Sequence, residues 1–83
     1  MPTVAVVDGA KIQLYANEHP PPHFHVVFAE YRVQIDIATL TVLRGSLPRA
    51  KLATVLAWAE PRKPELLKAW ETVVANELPG KIR

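Results

Sequence analysis

The chain has 83 residues, 49% of them hydrophobic and 22% charged, with a net charge of +2. That length holds one core and no second domain, and the balance of apolar and charged residues excludes a disordered tail. Cysteine is absent, which removes disulfides, thiolate zinc fingers and cysteine nucleophiles. The longest apolar runs are about five residues, against the ~20 a membrane helix needs. Met1-Pro2-Thr3 lacks a basic region followed by an apolar stretch, so no signal peptide is expected and the expected location is the cytoplasm.

The front half reads as strands. Thr3–Val7 is β-branched and apolar, and Asp8-Gly9 is a strong two-residue hairpin signal. It predicts Val7 opposite Ala10, Ala5 opposite Ile12 and Thr3 opposite Leu14. Asn17-Glu18-His19 then runs into Pro20-Pro21-Pro22, a stiff connection expected to favour polyproline II. His23–Phe28 predicts a third strand, with Phe24, Val26 and Phe28 on one face and His23, His25 and Val27 on the other. Arg32–Ile37 predicts a fourth. A tight turn at Ala29-Glu30 would set His23 opposite Asp36; a four-residue loop would set His25 there instead, and the sequence leaves both open. Leu40–Leu43 is a candidate fifth strand.

At Gly45-Ser46 the period changes. Ser46 is the expected N-cap of a helix with Pro48 in its first turn. Leu52, Val55, Leu56 and Ala59 follow at helical spacing, and Pro61 is expected to end that helix. Pro64 starts a second, with Leu66, Leu67, Trp70, Val73 and Val74 on one face and Leu78-Pro79-Gly80 as its end. The prediction is one α+β domain over 1–83: a four- or five-stranded antiparallel sheet in 1–44 and two helices in 46–78 packed on one face. The helices are expected to cover the Phe24/Val26/Ile35 face and to leave the histidine face to solvent or a partner.

Charge is uneven. Residues 1–43 balance to −2 and residues 44–83 to +4, so the back half suits an anion or an acidic partner, or is simply a solvated helical face. Trp58 and Trp70 read as core or interface, and no glycine-rich phosphate loop is present.

All three histidines fall in Glu18-His19-Pro20-Pro21-Pro22-His23-Phe24-His25. Three readings stay open. His23 and His25, at i and i+2 on a strand, stand roughly 7 Å apart on one face and can share a metal ion, with Asp36 or Glu18 as a third ligand. An extended proline run would hold His19 on the order of 12 Å away. Alternatively, the two imidazoles act as acid and base on a phosphodiester, Asp36 fixing a tautomer and Arg32 or Arg44 stabilising charge. Or the histidines tie the proline loop to the sheet or serve a protein interface.

The opening Met1-Pro2-Thr3-Val4, the Asp8-Gly9 turn, Asn17 to Val26, Gly45-Ser46-Leu47-Pro48, Trp58-Ala59 and Glu65 to Trp70 together resemble the small bacterial family called domain of unknown function 4160. The His-Pro-Pro-His-x-His element is its most specific part, and this chain carries one proline more. The resemblance implies a toxin-like partner of a small antitoxin-like protein from the domain of unknown function 2442 family. It carries His19, His23 and His25 over as site residues. The resulting expectation is a ribonuclease-like toxin acting on RNA through His23, His25, His19 and Asp36, with Arg32, Arg44 and Lys51 holding the anion. The alternative is a non-enzymatic binding module whose histidines hold a metal or a protein. The sequence demands no cofactor, and a divalent metal on His23 and His25 is admissible.

Overall fold

The computed structural model describes residues 3–82; Met1, Pro2 and Arg83 lie outside them. Five strands form one antiparallel meander: β1 (Thr3–Val7), β2 (Ala10–Gln13), β3 (His23–Phe28), β4 (Tyr31–Asp36) and β5 (Val42–Ser46), in sheet order β1-β2-β3-β4-β5. Asp8 and Gly9 both take positive φ, 50° and 83°, the requirement of the tight turn that matches strand twist. Val7 pairs with Ala10 and Ala5 with Ile12 as expected, but a bulge shifts Thr3 opposite Gln13 rather than Leu14. Between β3 and β4 the two-residue turn is the one formed, so His23 pairs with Asp36 and His25 with Gln34. Ala29 supplies the positive φ, 53°, without being glycine.

The sheet is followed by one joined helical segment of 26 residues. It consists of α1 (Arg49–Ala59), a 3-10 turn (Glu60–Arg62) and α2 (Lys63–Val74). The expected separation into two helices at Pro61 is therefore corrected. Residues before proline normally avoid helical angles, yet Glu60 and Lys63 are both helical. A 3-10 turn accommodates Pro61, and the Arg62 guanidinium donates to the Trp58 carbonyl at 2.7 Å, supplying a donor beside the proline. Val55, Ala59, Leu66, Ala69, Trp70 and Val73 are buried on both sides of that turn, so continuous packing outweighs the local preference.

Three further boundaries differ from the sequence reading. The fifth strand is Val42–Ser46, not Leu40–Leu43, because Leu40 at φ 57° belongs to the Asp36–Thr41 loop. Ser46 ends β5 and caps nothing; Pro48 stands at the head of α1 with no side-chain cap. The helix stops at Val74, ahead of Leu78-Pro79-Gly80. Asn76 at φ 63° lets its N–H reach the Val73 carbonyl and the Glu77 N–H reach that of Thr72, the paired bonds of a Schellman stop.

The core lies between the helical segment and one sheet face. Ile12, Leu14, Phe24, Val26, Ile35, Val55 and Leu66 are fully buried, each worth about 1.5–3 kcal/mol relative to exposure. The opposite face carries Lys11, Gln13, His25, Val27, Arg32, Gln34 and Arg44, aligned across β2 to β5 by the register. The outer edge of β1 is occupied by the C-terminal segment: Ile82 N–H bonds the Val4 carbonyl and the Lys81 ammonium bonds that of Thr3. β5 is exposed along its whole length. Among the described residues no helix is long and apolar enough to cross a membrane.

Candidate metal centre at the head of the third strand

Strand alternation puts His23 and His25 on the same side of β3, and their rings meet edge to face with centroids 5.3 Å apart. Glu18 arrives from the preceding loop, which bends at Pro20 and Pro21 rather than running on as an extended polyproline rod. The Glu18 carboxylate oxygen accepts a hydrogen bond from His25 Nε2 and lies 3.5 Å from His23 Nε2. One donor atom from each of these three residues falls within 4.8 Å of the others.

The two imidazoles are held differently. His23 is buried, 6% exposed, against the Trp70 ring at 5.0 Å between centroids. Its Nδ1 is 2.8 Å from the Pro21 carbonyl. A carbonyl only accepts, so Nδ1 carries a proton, and in the neutral ring Nε2 is the atom with the lone pair. That Nε2 is buried and has no hydrogen-bond partner. His25 packs under the Tyr15 ring, 4.2 Å between centroids, and Tyr15 is itself fixed by a 2.8 Å bond from its hydroxyl to Gln13. The His25 side chain keeps 15% exposure and that of Glu18 26%.

Burial opposes ionisation of Glu18, but the His25 hydrogen bond and the favourable electrostatics of the neighbouring His25 and His23 rings outweigh it, holding the carboxyl below its ordinary value. Burial pushes the His25 imidazole below its ordinary value, and the Glu18 hydrogen bond restores only part of that. Near neutral pH the pair is therefore an ionised carboxylate facing a neutral His25 that donates from Nε2.

The remaining expected residues divide. Asp36 is opposite His23 in the ladder, but its carboxylate turns away to accept the Thr39 N–H at 3.0 Å; its assignment as the tautomer-fixing carboxylate is corrected, and Glu18 takes that place. His19 is exposed and outside the converging set. The expectation that both histidine rings stand clear of the interior fails for His23, which is buried. Arg32 and Arg44 line a groove with His25 and Gln34. Lys51 does not join them; it binds Asp8 at 2.9 Å and lies over the Phe28 ring. Lys11, which sequence reasoning missed, shares a second groove with Gln13, Tyr15 and Arg32. Its strand parity with Gln13 was the available signal.

The fold and site together define a small domain: an antiparallel meander covered on one face by a broken helix, with a two-histidine, one-carboxylate cluster at its end. The family model described as Domain of unknown function (DUF4160) matches residues 9–71, and the chain belongs to that family. No curated protein and no solved structure matches the chain.

Proposed function

We propose that the protein is the toxin-like member of a two-protein bacterial module and that it acts on RNA at the Glu18–His25 end of its open sheet face. The observation that carries this reading is the row of cations beside the cluster. Lys11, Arg32 and Arg44 are exposed, share the face of His25, and have no carboxylate partner among the described residues. A phosphate backbone is the chemistry that neutralises such a row, and Arg32 stands in both grooves that flank it.

The antitoxin-like neighbour, a domain of unknown function 2442 protein, is proposed to dock on β5. That strand offers unpaired backbone groups and the exposed side chains of Val42 and Leu43, whereas the other sheet edge is already occupied by Lys81 and Ile82. Expression in a bacterial host with and without the neighbour tests the module. The expected result is a growth defect that the neighbour relieves, with cleaved RNA in the arrested cells. Normal growth without the neighbour, or arrest with intact RNA, would count against it.

A further inference from the structure

We infer that Glu18, His23 and His25 form a binding site for a divalent first-row metal ion of the zinc class, at the same position where action on RNA is proposed. The starting point is the His23 imidazole. A buried nitrogen lone pair without a partner is costly, and this one faces a carboxylate oxygen at 3.5 Å. In the neutral ring two electron-rich atoms so placed repel each other, and either a proton on Nε2 or a metal ion relieves them; the convergence of a third donor, His25, is what favours the ion. Ligands around a tetrahedral zinc, with bonds of about 2.0–2.1 Å, are roughly 3.3 Å apart; the His23–Glu18 pair is close to that at 3.5 Å, and the three donor atoms all lie within 4.8 Å of one another.

The surroundings match what metal-binding histidines require. A ligating imidazole donates its other N–H to a carbonyl or carboxylate, which fixes tautomer and ring orientation. His23 does so to the Pro21 carbonyl. Both rings are clamped by aromatic neighbours, Trp70 on His23 and Tyr15 on His25, so little side-chain freedom remains to be lost on binding. His25 Nε2 now donates to Glu18; ion binding takes the other tautomer, Nε2 giving up its proton as Nδ1 gains one, so the ring stays neutral and both acceptors turn to the metal. Two histidines and one glutamate are a donor set for zinc, and also for non-haem iron(II). Three protein ligands leave a coordination position for water or a phosphate oxygen, beside the exposed Arg32/Arg44 groove.

The test is metal uptake by protein purified without a histidine tag and stripped with chelator, titrated with zinc and, separately, cobalt(II) in the absence of nucleic acid. The expected result is about one ion per chain and a cobalt spectrum of a low-coordinate nitrogen–oxygen site. His23→Phe, His25→Ala and Glu18→Gln should each weaken uptake beyond the roughly 10–100-fold that loss of an outer partner costs, while His19→Ala binds as the wild type does. No stoichiometric uptake, or uptake that survives all three substitutions as surface zinc only, overturns the inference. The cobalt spectrum of the wild-type chain decides even if a variant misfolds. The RNA reading is judged separately: a Lys11/Arg32/Arg44 triple alanine variant should keep full metal uptake.

Discussion

His23 is a residue whose two nitrogens live in opposite circumstances, one satisfied by the Pro21 carbonyl and one buried with nothing to bind. If its purpose is to hold an ion, the metal-free protein gains little from it. His23→Phe removes the orphaned acceptor together with a bond of about 0.5–1.5 kcal/mol, so metal-free stability should stay within about 1 kcal/mol of wild type in urea unfolding. Added zinc should raise the midpoint of the wild type only. A purely structural histidine would show the reverse: a large loss and no zinc response. Gly45 is constrained differently. It sits at φ 83°, and a Cβ there would run into the Arg32 carbonyl. Gly45→Ala should therefore cost about 2 kcal/mol or more, since the left-handed conformation alone costs about 1–2 and β4 must also shift. At this scale the sequence was partly readable. The histidine cluster and the Asp8-Gly9 turn were visible as residues, whereas Glu18 and Asp36 were both open as a third metal ligand and only Asp36 was given a catalytic role. Only the path of the proline loop, and the Thr39 amide that claims Asp36, separates them.

At the scale of elements, the helical segment shows packing overruling local rules. Prolines 61 and 64 carry the signature of a break, and the segment crosses both because Ala59, Leu66 and Ala69 must lie on one continuous core. Leu66→Ala should cost about 2–5 kcal/mol by urea unfolding, while its exposed neighbour Leu67→Ala should stay within about 0.5 kcal/mol. Equal effects would mean that the buried face is assigned wrongly. The first hairpin was legible from Asp8-Gly9 and the β3–β4 face assignment from period-2 alternation; the sheet order was not, since alternation assigns faces and not neighbours. The end of the helix was not: Asn76 stops it by adopting a positive φ, a weaker letter in the sequence than Leu78-Pro79-Gly80.

For the whole molecule, the distribution of charge along the chain does not report the row proposed to face RNA. The basic back half suggested the anion-facing surface, yet of the exposed row only Arg44 comes from it; Lys11 and Arg32 come from the acidic front half. Folding gathers them by strand register, which no sum over a segment reports. The triple alanine variant of this row should bind single-stranded RNA oligonucleotides more weakly. Its binding should also lose salt dependence, by a log–log slope of about 2 for three lost phosphate contacts. Unchanged affinity and slope would remove the row from RNA recognition.

The ligand shell of bound zinc, measured by X-ray absorption on the loaded protein, bears most directly on the centre of this account. Two imidazole nitrogens at about 2.0–2.1 Å with additional oxygen ligands are the predicted result. A shell without histidine, or a protein that retains no zinc after gel filtration, would contradict it.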